Sequence, residues 1–294
     1  MTSSGDTWTN GRLLQWTTNY LRERNVENPR LDTEVLLAHA RRCQRIDLYA
    51  AFEEVAGDDV RAAFRELVAR RAKGVPVAYL VGHREFFSLS FAVTPDVLIP
   101  RPETELVVTA VLDLAKADAA GGNWEIADVG TGSGNIAVAI AKYLPGCRVT
   151  AIDASPAALD VARRNAEKHG VADRVTFAQS DLLAALPAGR TFDIVVSNPP
   201  YVSKNEYEQL PREVKDHEPH GALVAGPRGT EVIERLIGEC AGRLRQGGWL
   251  QFEISPMIAD ACRGLLADES RWADVQVIRD LGGLARIVQA RRVR

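Results

Sequence analysis

The sequence predicts an α/β protein: a small all-α domain followed by a doubly wound, mostly parallel sheet that ends in an antiparallel hairpin. Three observations carry this prediction. Residues 1 to about 75 place their apolar side chains at helical spacing throughout. From Trp124 onward, short apolar strands alternate with glycine turns and helices, the pattern of a parallel sheet covered on both faces. The final stretch breaks that alternation. Asp274–Asp280 and Ala285–Ala290 read as two strands joined by Leu281-Gly282-Gly283-Leu284, an antiparallel hairpin.

The elements follow in chain order. Leu13, Leu14, Thr17, Tyr20 and Leu21 mark a first helix, Val35, Leu36, His39 and Ala40 a second, and Val60, Phe64, Leu67 and Val68 a third. Asp47 and Asp58 or Asp59 are N-cap candidates, and Gly74 suits a helix end. Residues 1–75 are therefore expected to form a helical bundle with substrate binding as its job. Residues 76–102 form a linker: Glu85–Val93 is aromatic and β-rich, and Pro76, Pro95, Pro100 and Pro102 punctuate the stretch. Residues 103–294 are the larger domain. Pro102 opens a helix running to about Ala119 and closed by Gly121-Gly122. Strands are expected near 124–129, 148–153, 174–179, 192–197 and 248–254. Helices are expected near 135–144, 156–169, 230–245 and 256–267, the second opened by Ser155-Pro156 and closed by Gly170.

Composition narrows the function classes. Hydrophobic residues make up 46% and charged residues 26%, ordinary for a soluble globular protein. The net charge of −3 gives no chain-wide attraction to phosphate backbones and disfavours a dedicated nucleic-acid binder. Residues 1–75 carry 12 basic against 11 acidic side chains, without a basic stripe. The four cysteines Cys43, Cys147, Cys240 and Cys262 are far apart and read as buried thiols of a reducing compartment, and no metal site is expected. The polar start and the lack of a long apolar run give a cytoplasmic protein without a membrane segment as the expectation.

Asp128-Val129-Gly130-Thr131-Gly132-Ser133-Gly134-Asn135 lies between an expected strand and an expected helix. Glycines there permit a sharp turn and a close ligand approach, with helix N–H groups facing the ligand. The spacing is G-x-G-x-G, neither the dinucleotide fingerprint nor a P-loop. Asp153 ends the next strand, 21 residues beyond Gly132, where a carboxylate can accept both ribose hydroxyls. Asp128 favours S-adenosylmethionine, because a carboxylate is stabilised beside an ammonium and a sulfonium and destabilised beside a pyrophosphate. Asp181 and Leu182, after the third strand, are candidates to border an adenine, although a helix cap explains Asp181 as well.

The sharpest signal is a strand, Phe192–Ser197, running into Asn198-Pro199-Pro200-Tyr201, 64 residues after Gly134. In a doubly wound sheet that strand ends beside the glycine loop. Two prolines stiffen the segment and remove its donors, leaving the Asn198 side-chain oxygen and the Pro199 carbonyl as a rigid pair of acceptors. Two acceptors at one point suit an NH2 group whose lone pair is delocalised. Gripping both hydrogens fixes that nitrogen for in-line attack on a sulfonium methyl, a catalysis of positioning and electrostatics. Tyr201 is expected to pack on the flat group. These residues alone leave adenine, cytosine and glutamine amines open. The segment 202–228 mixes four basic with five acidic residues, and it lacks the basic groove that base flipping usually brings. His217 and His220 lie in it without metal-ligand company. A non-catalytic binding module and, more distantly, a nicotinamide enzyme are the remaining alternatives.

At these residues the chain resembles the bacterial release factor glutamine methyltransferase (HemK/PrmC) family. The resemblance covers nearly the whole length: Tyr79-Leu80-Val81-Gly82 with Glu85-Phe86, Leu98-Ile99-Pro100-Arg101-Pro102-Glu103-Thr104-Glu105, Asp128–Gly134, Asn198–Tyr201, and His217-Glu218-Pro219 with Ala222-Leu223. The glycine loop and the Asn-Pro-Pro-Tyr segment are shared with many methyltransferases; the other segments are specific to the family. The resemblance implies a class I methyltransferase fold and S-adenosylmethionine as cofactor, with S-adenosylhomocysteine as product. It implies the glutamine of a release factor's Gly-Gly-Gln loop as substrate, with the helical domain gripping the release factor in translation termination. Cofactor contacts carry over to Gly130 through Gly134, Asp153 and Asn198, and substrate contacts to Asn198, Pro199, Pro200 and Tyr201. Ser255 stands where family members usually have glycine, and Arg101 and Glu103 are assigned either to the site or to a linker salt bridge.

Overall fold

A computed structural model describes residues 7–117 and 122–293. Its elements in chain order are α1 (Asn10–Arg22), α2 (Pro29–Arg41), α3 (Arg45–Ala50), α4 (Asp58–Arg71), α5 (Val77–Val81), β1 (His83–Phe86), β2 (Leu89–Ala92), α6 (Glu105–Ala117), β3 (Trp124–Val129), α7 (Asn135–Tyr143), β4 (Cys147–Asp153), α8 (Pro156–Lys168), β5 (Val175–Gln179) and β6 (Phe192–Ser197). There follow β7 (Val202–Ser203), α9 (Lys204–Tyr207), α10 (Arg212–Lys215), α11 (His220–Leu223), β8 (Val224–Gly226), α12 (Glu231–Cys240), β9 (Leu244–Glu253), α13 (Ala259–Leu265), β10 (Trp272–Arg279) and β11 (Ala285–Arg292). The expected end of α6 near Ala119 and its closure at Gly121 fall outside the described residues.

The chain divides into two compact units. The first comprises residues 1–82 together with 212–217, and the second comprises 83–211 with 218–294. In the first, Leu13, Leu21, Leu36, Leu37, Leu48, Phe64 and Val68 form one core. The buried stripe of α2 is rotated from the expected one: His39 is exposed, whereas Asp32 is buried. The cause is Arg71 of α4, whose Nε donates to Asp32 at 2.7 Å and whose Nη2 lies 2.7 Å from Glu213 of α10. A polar residue can face inward when its charge is paired there. Asp47 and Asp58 are not N-caps. Gln44 caps α3, with Asp47 accepting from the Gln44 N–H as the reciprocal half of a capping box, and Gly57 precedes α4, so Asp58 and Asp59 stand in its first turn.

The second unit is built on a seven-stranded sheet of order β10-β11-β9-β6-β3-β4-β5, parallel from β9 to β5 and antiparallel at β10 and β11. Ile126, Ile194 and Val196 face one apolar layer with α6 and α7. Ala127, Val129, Val195 and Phe252 face the other with α12 and α13. Ser155 caps α8 as expected, its hydroxyl accepting from the Ala158 N–H, with Pro156 in the first turn. Strand β9 starts at Leu244, earlier than the sequence suggested, because Leu244 pairs with Phe192 before a register shift carries Trp249 onto Ile194. Gly248 sits at that irregularity, where a Cβ would come within 2.8 Å of the Asp193 carbonyl.

Beside the packing of Phe86 and Phe91 in the sheet unit's core, one buried amide ties the hairpin β1–β2 to the glycine loop. Asn165 of α8 accepts from the Ala92 N–H at 2.7 Å and donates to the Ala92 and Ser133 carbonyls at 3.0 and 2.8 Å. A single amide thus joins hairpin, helix and glycine loop. Asn165→Leu strands these groups and is expected to cost about 2–3 kcal/mol. Calorimetry should show a lowered melting temperature, and hydrogen exchange should show deprotection at Ala92. An unchanged melting temperature would remove this role.

Candidate functional site

Strands β3 and β6 are neighbours at the point where the connections diverge, since β3 runs on through α7 to β4 on its far side. That is where doubly wound sheets bind ligands. The register pairs Val129 with Ser197, so the next residues, Gly130 and Asn198, emerge abreast. The Ser197 hydroxyl locks this end by donating to the Val129 carbonyl at 2.7 Å. Gly130 and Thr131 both donate to the Ile152 carbonyl, turning the loop back over β4. Gly132 and Gly134 take left-handed conformations at φ +54° and +78°. A Cβ on Gly132 would stand in open space, whereas one on Gly134 would meet the Ala162 Cβ at 3.0 Å, so Gly134 serves close packing of α7 on α8.

A cavity of about 350 Å³ lies over these strand ends. Gly130, Thr131, Gly132, Ser133, Asp153, Asp181, Leu182, Asn198 and Pro200 line it together, as do Asp96, Val97, Leu98, Pro100, Arg101 and Thr104 from the segment before α6. Four residues marked from the sequence are not part of its wall. Asp128 is fully buried beneath the loop, Gly134 packs on α8, and Pro199 and Tyr201 stand behind the wall residues Asn198 and Pro200 in the chain.

The electrostatics of the wall favour a cation with hydroxyl groups over a phosphate. Asp153 accepts from the Gly132 and Ser155 N–H groups, both at 2.9 Å, which holds its two oxygens at the cavity edge. The two arginines on the wall are neutralised: Arg101 pairs with Glu218 at 2.5 Å, and Arg235 with Asp181 at 2.7 Å. Glu218 also accepts from the Ile99 N–H, so Arg101 belongs to the site's own framework. Glu103 stands 3.8 Å from Arg286, at the far end of the same segment. Beneath the loop, Asp128 Oδ2 accepts from the Thr131 hydroxyl at 2.6 Å and the Ala137 N–H at 3.1 Å, while its Oδ1 has no partner among the described residues. Burial pushes this carboxyl up to about 7. An unpartnered acidic oxygen under an open glycine loop fits a cofactor carrying an ammonium and a sulfonium, and opposes a pyrophosphate.

Asn198 projects into this space. Its Nδ2 donates to the Thr104 hydroxyl at 3.1 Å, and its Oδ1 has no protein partner among the described residues. Pro199 and Pro200 offer no N–H to compete. The Tyr201 hydroxyl donates to Glu253 Oε1 at 3.2 Å, so its ring is anchored toward the end of β9. Burial, and then the Glu253 charge, push the Tyr201 phenol well above its ordinary range and keep it protonated. Thr104 donates to Glu253 Oε2 at 2.6 Å. Burial pushes Glu253 up to about 7.

The sequence reading missed Thr104, Glu253 and the wall from Asp96 to Pro100. Thr104 and Glu253 are 149 residues apart, and nothing local marks their pairing, although Thr104 lies in the family-specific segment from Leu98 to Glu105. A signal for the Glu218 contact did exist, in the His-Glu-Pro triplet that accompanies Leu-Ile-Pro-Arg. His217 is half-buried and His220 lies edge-on to Tyr207 at 4.9 Å. Among the described residues no group of acidic, histidine or cysteine side chains could hold a metal, and no helix is long and apolar enough to cross a membrane. Cys147, Cys240 and Cys262 are buried free thiols, and Cys43 is partly exposed.

Residues 12–82 match the family model described as PrmC N-terminal domain, and residues 126–220 match one described as Methyltransferase domain. Release factor glutamine methyltransferase of Rhodopirellula baltica is 49% identical over 292 residues, 99% of each chain. That of Geobacter sulfurreducens is 40% identical over 99% of each chain, and that of Bacillus subtilis is 38% identical over 94% of this chain and 96% of its own. Among solved structures, a 16S rRNA methyltransferase of T. thermophilus aligns with a TM-score of 0.54 at 18% identity, covering 71% of this chain and 49% of that one. A methyltransferase from Pyrococcus furiosus aligns at 0.50 and 18%, over 77% of this chain and 98% of that one. These two likenesses show the fold, a methyltransferase sheet unit. The near full-length identity to curated relatives decides the family: the chain belongs to the release factor glutamine methyltransferases, enzymes dependent on S-adenosylmethionine.

Proposed function

We propose that this chain transfers a methyl group from S-adenosylmethionine to the side-chain amide nitrogen of the glutamine in the Gly-Gly-Gln loop of peptide chain release factors, in the cytoplasm. The observation that carries the reading is the side-by-side exit of Gly130 and Asn198 from paired strands into one cavity. S-adenosylmethionine, when bound, supplies an electrophilic methyl group on a sulfonium: the sulfur–methyl bond breaks as the nitrogen–methyl bond forms, S-adenosylhomocysteine leaves as the neutral thioether, and one of the two amide hydrogens is lost to solvent as a proton. Asp153 would accept from the ribose hydroxyls, Asp181 and Leu182 would border the adenine, and Asp128 would face the positive end from below the loop. Asn198 Oδ1 and the Pro199 carbonyl would accept the two amide hydrogens, drawing the lone pair out of conjugation and aiming it into the cavity. Pro200 closes the side of that grip. Tyr201, turned to Glu253, holds the segment in place. The helical unit is the proposed grip on the release factor.

Transfer of a labelled methyl group to purified release factor, measured beside duplex DNA and RNA, tests this reading. Incorporation into the release factor alone is expected; incorporation into nucleic acid alone would replace the reading with an adenine methyltransferase.

Cofactor binding should depend on pH through Asp128. A cation beside a carboxyl stabilises its ionised form, so the pKa of Asp128 in the complex falls below its free value of about 7. Binding then releases a proton below that value and strengthens as pH rises from 6 toward about 7. Calorimetry in buffers of different ionisation enthalpy should detect the proton, and Asp128→Asn should abolish it. Equal proton release by the variant would assign the effect elsewhere.

A further inference from the structure

A carboxamide is nearly symmetric in shape, and turned over it would present two donors to the substrate NH2 instead of one acceptor. Asn198 can therefore grip an amide only if something fixes which end faces the cavity. Its neighbour Thr104 cannot decide this alone, because a hydroxyl both donates and accepts. Thr104 is itself committed, however. Its Oγ1 lies 2.6 Å from Glu253 Oε2, and an ionised carboxylate only accepts. The Thr104 hydrogen must then point to Glu253, its lone pairs face Asn198 at 3.1 Å, and only the NH2 end of Asn198 can sit there. Tyr201 donates to the other oxygen of Glu253 and leaves that carboxylate no free choice of partner. Thr104 is 1% exposed and Glu253 3%, so water does not compete for these bonds.

We propose that Thr104 and Glu253 are positioning residues that set the polarity of the Asn198 amide, Glu253 fixing the hydroxyl of Thr104 and Thr104 fixing Asn198 with its oxygen toward the substrate nitrogen. This rests on the reading that Asn198 accepts from the substrate amide. A brace between the segment before α6 and the end of β9 would need only packing and would be indifferent to the direction of the hydrogens. The relay is not. Protonated Glu253 becomes a donor, Thr104 can then turn its hydrogen to Asn198, and the amide can flip. Burial and the nearby Glu103 push Glu253 upward, while the Thr104 and Tyr201 bonds and Arg286 pull it down, leaving it at about 7. The maximal rate at saturating S-adenosylmethionine should therefore rise as pH passes through about 7, whereas cofactor affinity follows Asp128.

The test is single-turnover methylation of purified release factor at saturating S-adenosylmethionine, from pH 6 to 8.5, with cofactor affinity measured by calorimetry for each variant. Thr104→Val is expected to slow transfer roughly 10- to 100-fold with cofactor affinity within about threefold of wild type, and Thr104→Ser should recover most of the rate. Glu253→Gln, whose amide can donate or accept, should be slow and lack the rise through about 7. A folded Thr104→Val enzyme at the wild-type rate overturns the proposal, as does Thr104→Ser as slow as the valine variant. Should Thr104→Val fail to fold, Glu253→Gln decides: persistence of the wild-type pH limb overturns the relay. Wild-type enzyme inert toward release factor would instead overturn the functional reading itself, and the relay with it.

Discussion

Replacing Asn198 by alanine is expected to slow methyl transfer roughly 10²-fold or more, the scale of losing one preorganised polar contact at a reacting centre. The strand beneath it should hold, because Phe192–Ser197 is anchored by β3 and β9 on either side and by the Ser197–Val129 bond. Cofactor affinity should therefore stay close to wild type, and the loss should fall on the rate of the chemical step. Asn198→Asp is a sharper variant. It keeps the shape but places a second acceptor against Thr104, whose hydrogen is already given to Glu253. It is expected to be as slow as the alanine variant although it retains an oxygen toward the substrate. Rapid-quench kinetics with cofactor affinity measured in parallel check both; a transfer rate near wild type in Asn198→Ala would rule out catalysis by an amide grip at this residue.

The second large effect concerns the cofactor. Asp153→Ala removes a carboxylate that holds the Gly132 and Ser155 N–H groups at 2.9 Å and is proposed to accept two ribose hydroxyls. Hydrogen bonds to a charged group contribute about 1.5–3 kcal/mol each, so losing two should lower affinity for S-adenosylmethionine roughly 10²-fold or more. Part of the loss comes from the loop itself, since Gly132 loses the acceptor that fixes its left-handed turn. Methyl transfer at saturating cofactor should recover much of the wild-type rate, which separates this variant from Asn198→Ala. Unchanged affinity in titration calorimetry would mean that the ribose lies elsewhere.

The features legible in the sequence were those with local causes. Gly-x-Gly-x-Gly between strand and helix, Ser155-Pro156 at the start of α8, and Gly282-Gly283 between β10 and β11 each act on backbone a few residues away, so their pattern is readable without the fold. The alternation of strand and helix then sufficed to place Gly130 beside Asn198, because a doubly wound sheet puts its ligand where neighbouring strand ends diverge. What stayed hidden was set by distant partners. Asp32, off the expected stripe of α2, is buried because Arg71 of α4 lies against it. Asp128, read as a ligand-facing carboxylate, lies under the loop because Thr131 and Ala137 draw it down. Tyr201, read as a stacking wall, is turned by Glu253 at the end of β9. The beginning of β9 was obscured because its first pairing, Leu244 with Phe192, precedes an irregularity that only the partner strand reveals.

The cavity beside Asn198 is proposed to grip both hydrogens of a glutamine amide in front of a sulfonium. The most direct test is tandem mass spectrometry of a release factor after incubation with this enzyme and S-adenosylmethionine. The expected result is one added methyl group, placed by fragment ions on the side-chain nitrogen of the Gly-Gly-Gln glutamine. A methyl group on any other residue, or an unmodified release factor in the presence of an enzyme that binds cofactor, would contradict it.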